Sequence, residues 1–224
     1  MRTRAKRSAS RKDDALPGQL GGSAVDETVL RALAKWPNVP SVCSWLSLDR
    51  RGNWLVKGER IANAAVVDFI GRNYEHDAQG RWFFQNGPQR VFVKLAYTPF
   101  IYRIEPAVSR NLAIRAHTGR IAYSTRAAWM DERGDLLVET ELGAGLIEDR
   151  DLALALDRLT TPSGAPVDAE MLALLADPSA TTGLDVRLAL GDAAIRLGRI
   201  RASEVPARFG FDPDPQPDPG EPDC

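Results

Sequence analysis

The sequence is poor in the residues from which most catalytic and metal sites are built. It contains two cysteines and two histidines among 224 residues. Cys43 and Cys224 stand in dissimilar contexts, so we expect no disulfide framework and two free thiols in a reducing compartment. Neither His76 nor His117 has a second histidine or cysteine at metal-ligand spacing. We therefore expect no metal site and no bound cofactor.

The chain also lacks an excess of charge of either sign. It has 29 basic and 30 acidic residues and a formal net charge of -1. A dedicated nucleic-acid-binding protein is expected to be strongly basic, so the composition argues against nucleic acid as the main partner. No segment approaches about 18 consecutive apolar residues, and the N-terminal stretch has no signal-peptide core. We expect a soluble, cytoplasmic protein with no membrane partner.

Short catalytic signatures are missing as well. The sequence has no G-x-S-x-G elbow, no H-E-x-x-H, no C-x-x-C, no phosphate-binding P-loop and no dinucleotide-binding glycine motif. Catalytic triads are assembled in space, so His117 with Ser124, or Cys43 with either histidine, stays open as an alternative. The enzyme that these residues would suit is a small hydrolase that uses His117.

What is present is an ordinary globular composition with charged ends. Hydrophobic residues make up 44% of the chain and charged residues 26%. Six basic residues stand in the first twelve positions, and the closing stretch FDPDPQPDPGEPDC alternates acids with prolines. We expect a disordered basic arm over 1–24 and a disordered acidic tail over 212–224. Between them we expect an N-terminal lobe over 25–104 and a C-terminal lobe over 105–211.

One short pattern recurs within these lobes. Each of the stretches SLDRRGNWLV, EHDAQGRWFF and WMDERGDLLV reads Asp-x-x-Gly, then one polar residue and an apolar run. Aspartate at the first position of a turn accepts backbone hydrogen bonds, and glycine at the fourth tolerates positive φ. Each stretch therefore predicts a tight turn between strands. With a few amphipathic helices, these turns predict an α+β fold of two small β-rich lobes built of antiparallel hairpins.

The stretch GRWFFQNGPQRVFVKL, residues 80–95, is the densest in aromatic residues. We expect a four-residue loop over 86–89 because Pro88 has no N–H for the ladder, and this register pairs Phe83 with Phe92. One side of the hairpin is then apolar core. The other side, which we call the hairpin face, carries Arg81, Phe83, Arg90, Phe92 and Lys94.

The hairpin face allows two interpretations. Exposed aromatic rings among cations bind protein partners or stack on single-stranded nucleic acid bases. Alternatively, a neighbouring helix or lobe covers the phenylalanine pair, and the long cationic side chains reach the rim. Our leading hypothesis is a non-catalytic ligand- or protein-binding, regulatory module that uses this face or the space between the lobes. The hydrolase is the alternative, a local nucleic-acid contact comes third, and a homo-oligomer remains open.

The segments KWPNVP, WLSLDRRGNW, FIGRNYEHDAQGRWFFQNGPQRVFVKL, RAHTG and AAWMDERGDL together resemble a family. It is an uncharacterised family of bacterial proteins, the domain of unknown function numbered 2946, and the resemblance covers about residues 30–150. The chain is more distantly similar to the two-lobed family of unknown function numbered 1285. The resemblance implies a mixed fold of helices and strands in two small lobes. It implies no activity, cofactor or catalytic residue.

Overall fold

The computed structural model describes residues 26–36, 39–106, 112–177, 179–180, 183–190 and 194–216. The α-helices within these ranges are short: α1 (Glu27–Lys35), α2 (Ala64–Arg72), α3 (Asp149–Leu156), α4 (Ala169–Ala176) and α5 (Val205–Phe209). A 3-10 helix, Ala202–Glu204, precedes α5. No helix in these ranges is long and apolar enough to cross a membrane.

The first sheet has six strands. They are β1 (Val42–Leu48), β2 (Trp54–Val56), β3 (Glu59–Arg60), β4 (Tyr74–His76), β5 (Trp82–Asn86) and β6 (Gln89–Leu95). Their order across the sheet is β3-β2-β1-β6-β5-β4. β1 and β6 run parallel at the centre, and the other neighbours are antiparallel.

The second sheet has nine strands. They are β7 (Phe100–Pro106), β8 (Leu112–Ala116), β9 (Ile121–Ala122), β10 (Thr125–Met130), β11 (Leu136–Thr140), β12 (Ala144–Ile147), β13 (Leu159–Thr160), β14 (Arg187–Leu188) and β15 (Ile195–Arg199). Their order is β13-β14-β15-β10-β11-β12-β7-β8-β9, with parallel pairs β7·β12 and β10·β15. The α+β fold in two β-rich lobes is confirmed. Parallel pairs join hairpins that the sequence predicted separately.

The three Asp-x-x-Gly turns share one hydrogen-bond pattern. The carboxylate of Asp131 accepts the N–H groups of Arg133 and Asp135, both at 2.9 Å. Asp49 and Asp77 accept the N–H groups at the same two relative positions. The turn glycines have nearly identical positive φ angles: 78° at Gly52, 78° at Gly80 and 79° at Gly134. The predicted strand-to-strand turns are confirmed.

Two helices begin at polar side chains that accept their first N–H groups. The Asn63 side chain accepts the N–H groups of Ala65 and Val66 at the start of α2. The Asp168 side chain accepts the N–H of Met171 at 2.8 Å at the start of α4. Each cap satisfies N–H groups that have no partner inside the helix, which fixes where the helix begins.

A continuous apolar core runs through both lobes. It includes Trp54 of the first sheet and Tyr102 and Leu136 of the second, all fully buried. The first turn of the first lobe also contacts the second lobe, because Arg50 pairs with Asp135 of a turn and Arg51 pairs with Asp149, the first residue of α3. The lobes therefore share packing and two ion pairs.

The expected lobe boundaries need two adjustments. β7 belongs to the second sheet and starts at Phe100, so the change of sheet comes before residue 104. The chain then returns to the first lobe at its end: residues 212–216, expected to be disordered, have described contacts there. The basic arm 1–24 and residues 217–224 lie outside the described residues.

Candidate functional site

The hairpin of β5 and β6 forms with the predicted register. Phe83 lies opposite Phe92 in the ladder. The loop is shorter than the expected four residues, because Asn86 pairs with Gln89 and leaves a two-residue turn. Pro88 fits as the second turn residue, because this position donates no N–H to the ladder and proline has none to donate. Register was thus predictable from the alternation, while the turn length was not.

The two phenylalanines of the hairpin face are buried. Phe83 is 3% exposed and Phe92 is 2% exposed, and their ring centroids lie 5.9 Å apart in an edge-on arrangement. They form a small cluster with Cys43 of β1, separate from the main core. Rings buried to this extent cannot stack on nucleic acid bases without rearrangement of their surroundings. The burial therefore fits the interpretation in which the pair is covered.

Two arginines lie over these rings. The guanidinium carbon of Arg90 lies 4.7 Å from the Phe83 ring centroid, and that of Arg81 lies 4.7 Å from the Phe92 ring centroid. Each arginine lies two residues from the position directly opposite the ring that it covers. Long side chains can span the distance between such diagonal neighbours on paired strands. The guanidinium groups thus shield the rings and place positive charge at the surface.

The cations of the hairpin face differ in accessibility. The Arg81 side chain is only 14% exposed, and its Nε donates to Asp77 at 2.7 Å. Burial alone would raise the pKa of Asp77, but the hydrogen bonds from Arg81 outweigh burial and lower this pKa below its usual value. Arg81 therefore serves the fold. Arg90 and Lys94 are exposed and remain the accessible cations.

A segment near the C-terminus, residues 211–216, runs onto this hairpin. The N–H of Asp212 donates to the Gly80 carbonyl at 3.0 Å, and the N–H of Leu95 donates to the Pro213 carbonyl at 2.8 Å. Lys94 Nζ then donates to the Asp214 carboxylate at 2.8 Å. Pro215 is buried, although its two neighbours in the chain are exposed. An acidic, proline-rich segment of the protein itself therefore occupies one end of the hairpin face.

His117 lies in an aromatic cluster between the lobes. Its ring centroid is 5.0 Å from Trp54, 5.7 Å from Tyr74 and 5.9 Å from Phe100. The residue as a whole is half-buried, but Nε2 is shielded from solvent. Burial lowers the pKa of His117 to about 3, and the negative charge of Asp49 opposes this only weakly. The ring is therefore neutral at physiological pH.

The surroundings of His117 are those of a packed side chain. Its Nδ1 accepts the N–H of Ile101 at 3.3 Å. Neither suggested nucleophile joins it: Ser124 donates its hydroxyl hydrogen to Glu141 at 2.9 Å, and Cys43 lies in the phenylalanine cluster. The described ranges contain no group of three or more histidine, cysteine and acidic side chains able to hold a metal ion. His117 thus contributes packing between the lobes and has no assembled catalytic partner among the described residues.

A family model described as "Protein of unknown function (DUF2946)" matches residues 25–216. The chain belongs to this family. The match includes the helices of the second lobe and residues 211–216, which extends the resemblance well beyond residue 150. No curated protein matches the chain.

Solved structures similar to this DUF2946 chain come from the DUF1285 family. A DUF1285 family protein from Silicibacter pomeroyi DSS-3 aligns with a TM-score of 0.50 and 16% identity, covering 74% of this chain and 86% of that one. One from Shewanella baltica OS155 aligns with a TM-score of 0.36 and 15% identity, covering 50% and 87%. The first of these likenesses supports a shared fold and carries no activity with it.

The second lobe of the DUF2946 chain also has two adjoining clefts, of about 220 and 330 Å³. Both are lined by residues of β10, α4 and β15, and Leu175 and Arg199 border both. Arg199 donates to the backbone carbonyls of Leu175 and Ala180, so the charge between the clefts is used to hold the chain after α4.

Sequence reasoning missed the contact of residues 211–216 with the hairpin. The alternating acids and prolines predict a disordered tail over 212–224 and do not indicate this contact. The available signal was charge complementarity, since the segment is acidic and the hairpin face carries Arg81, Arg90 and Lys94. It could not have located Asp214 beside Lys94, because that pairing depends on where α5 ends in space.

Proposed function

We propose that the protein is a non-catalytic binding module that holds an acidic, extended segment of a partner protein on its hairpin face. The observation that carries the proposal is the ion pair of Lys94 with Asp214, at 2.8 Å. In it, an exposed cation of this face holds a carboxylate of an extended, proline-flanked segment. The protein's own chain thus supplies an example of the ligand chemistry that this face accepts.

The spacing of the accessible cations favours an extended ligand. Arg90 and Lys94 are four residues apart on β6, so they point to the same side about 13 Å from each other. Arg90 has no carboxylate partner among the described residues. Its planar guanidinium group can hold a carboxylate through two parallel hydrogen bonds. Two cations at this separation suit acids spaced along one extended strand.

The burial of the phenylalanine pair favours a protein segment over nucleic acid. Single-stranded nucleic acids gain about 1 to 3 kcal/mol for each base stacked on an exposed aromatic ring. Phe83 and Phe92 do not offer such a ring, because they are buried beneath Arg90 and Arg81. The face therefore recognises charge and an extended backbone. A hydrolase centred on His117 has less support, since its ring is packed among aromatic side chains and Ser124 donates its hydroxyl hydrogen to Glu141.

Fluorescence anisotropy with two labelled octapeptides tests the proposal. One peptide alternates aspartate with proline, and the other alternates asparagine with proline. We expect the full chain to bind the first and not the second. The double variant Arg90→Glu, Lys94→Glu should bind the acidic peptide about tenfold more weakly, since two attractions become repulsions.

The matched control reverses two exposed cations of the second lobe, Arg120→Glu and Arg126→Glu. It makes the same change in net charge and should leave binding within about twofold of the wild type. Equal weakening by both double variants would reduce the effect to net charge and contradict the proposal. Tighter binding of a single-stranded oligonucleotide than of the acidic peptide would assign the face to nucleic acid instead. The expected cytoplasmic location and oligomeric state stay predictions.

A further inference from the structure

We infer that Trp45 extends the hairpin face onto β1 and that the partner's acidic segment packs a proline ring against it. This inference rests on the proposed function, because it names a residue type that the partner's segment should contain. The position of Trp45 itself follows from the register of the first sheet and requires no partner.

The register places Trp45 on the same side of the sheet as Lys94. Ser47 of β1 lies opposite Lys94 in the parallel pair of β1 with β6. Side chains alternate along a strand, so Trp45, two residues before Ser47, points to that side, while Leu46 and Leu48 point into the core. The strand spacing and rise put the Cα atom of Trp45 about 8 Å from that of Lys94. Trp45 therefore lies on the surface that carries the hairpin face.

A β-bulge in β1 comes just before Trp45. From Val42 to Leu46, β1 advances four residues while the paired part of β6 advances two. Within the bulge Ser44 has a φ of 61°, a left-handed conformation that residues with a Cβ rarely adopt. Bulges redirect side chains, and strained backbone is concentrated at binding sites. An unfavourable backbone conformation next to an exposed ring therefore points to a role for that ring in binding.

The Trp45 ring is exposed and is held in place by Lys57. The residue is 46% exposed, and Lys57 Nζ lies 4.1 Å from the ring centroid. Lys57 and Gly58 form the turn between β2 and β3, both with positive φ, and the Lys57 N–H donates to the Trp45 carbonyl at 2.9 Å. A backbone hydrogen bond and a cation–π contact thus join the two residues. The exposed part of the ring is a preformed apolar surface beside a positive charge.

The chemistry of this surface favours a proline close to an acid. Aromatic rings bind proline-rich segments, because such segments already hold the polyproline II conformation and lose little entropy on binding. Lys57 and Lys94 lie on strands or turns to either side of Trp45 and attract carboxylates. A separation of about 8 Å equals two to three residues of polyproline II at about 3.1 Å each. An acid bound to Lys94 and a proline on Trp45 should therefore be two or three residues apart.

The protein's own segment at this face has the same composition. Asp214, which pairs with Lys94, stands between Pro213 and Pro215. A nucleic acid base would also fit an exposed ring, but a formal net charge of -1 gives a phosphate backbone little overall attraction. The occupant that we expect on Trp45 is therefore a protein segment that combines acids with prolines.

Two peptides that differ only in proline test the inference on the full chain. Fluorescence anisotropy compares a labelled octapeptide that alternates aspartate with proline and one that alternates aspartate with alanine. We expect wild type to bind the first at least about fivefold more tightly, and Trp45→Ala to reduce this preference to less than about twofold. Trp45→Phe should retain part of the preference. Because proline also stiffens the free peptide, the decisive result is the loss of preference in Trp45→Ala.

The control variant Tyr123→Ala removes an aromatic side chain of the second lobe that is 87% exposed. It should keep the wild-type preference, and thermal unfolding checks that both alanine variants remain folded. A second readout needs no alanine variant: NMR assigns the indole N–H signal of Trp45 by its loss in Trp45→Phe. We expect nuclear Overhauser contacts between this indole and the proline side chains of the bound peptide. A bound peptide without such contacts would overturn the inference.

The outcomes separate this inference from the proposed function. Equal binding of the two acidic peptides, unchanged by Trp45→Ala, would retain the acidic partner and reject the proline contact. Equal binding of the aspartate–proline and asparagine–proline peptides, lost in Trp45→Ala, would retain the proline contact and reject recognition of charge. Binding of a single-stranded oligonucleotide that depends on Trp45 and is tighter than that of any peptide would overturn both, as would no binding of any peptide.

Discussion

The hairpin face and the His117 cluster use similar side chains in opposite ways. Both place a nitrogen-containing side chain against aromatic rings: Arg90 over Phe83 in the first, and His117 beside Trp54 in the second. Arg90 keeps its charge in solvent, while burial holds His117 neutral. The charge of the hairpin face is thus available to a partner, whereas that of His117 has been removed by packing.

A titratable residue among aromatic side chains is therefore not by itself evidence of a functional site. The evidence depends on which protonation state the surroundings stabilise and on whether a ligand can reach the side chain. Desolvation selects the neutral form of His117 and makes the residue a determinant of stability. Arg90 and Lys94 lie exposed at the rim, and we propose that they bind the partner.

Removing a ring of the phenylalanine cluster should affect stability most. We expect Phe92→Ala to lower the free energy of unfolding by about 3 to 4 kcal/mol, because it deletes a buried aromatic side chain and leaves a cavity. Urea unfolding followed by circular dichroism measures this. Lys94→Ala, two residues along the same face, should change stability by less than about 1 kcal/mol. A loss below about 1 kcal/mol for Phe92→Ala would mean that the pair is exposed in solution.

Two equivalent turn glycines test whether residues 211–216 are packed on the hairpin. A Cβ at Gly80 would lie 2.1 Å from the Gly210 carbonyl oxygen, whereas one at Gly134 would have nothing within 4 Å. Both have the same positive φ, so Gly134→Ala should cost about 1 to 2 kcal/mol of strain alone. Gly80→Ala should cost about 3 kcal/mol, because backbone must also move. Equal losses in urea unfolding would show that the C-terminal segment is not seated there.

The pH dependence of stability tests the neutral state of His117. Its pKa is about 3 in the folded protein and 6.5 when unperturbed, so the unfolded chain binds a proton that the folded chain does not. Its contribution is present above pH 6.5 and is lost as pH falls towards 3. Between pH 6 and 4, wild type should lose up to about 1.4 kcal/mol per pH unit more than His117→Asn. A slope unchanged by His117→Asn would place that ring in solvent.

Charge at the rim should have the smallest effect on stability. Arg90→Gln should change the free energy of unfolding by less than about 1 kcal/mol, because exposed cations contribute little to it. The same variant should weaken binding of the acidic octapeptide severalfold. Thermal unfolding and anisotropy on one sample separate the two effects. If Arg90→Gln lowered the free energy of unfolding by more than about 1 kcal/mol, Arg90 would be a structural residue like His117, and the contrast between the two would not hold.

Local chemistry explains which parts of this fold could be predicted. Asp131 and Gly134 specify their turn through their own hydrogen bonds and φ, and Asn63 specifies the start of α2, so these features follow from a few neighbouring residues. The register of Phe83 with Phe92 follows from alternation. The parallel pairing of β1 with β6 does not, because it joins residues more than 40 positions apart in the sequence. The burial of His117 does not follow from local sequence either, because it depends on Trp54 and Phe100, which are distant in the chain.

The most direct test of the binding claim is an NMR titration of the isotope-enriched full chain with the unlabelled acidic octapeptide. We expect amide shifts to concentrate on β6, from Gln89 to Leu95, and to be lost in the variant Arg90→Glu, Lys94→Glu. Shifts centred on the clefts beside Arg199, or on the strands around His117, would contradict it and move the binding site to the second lobe.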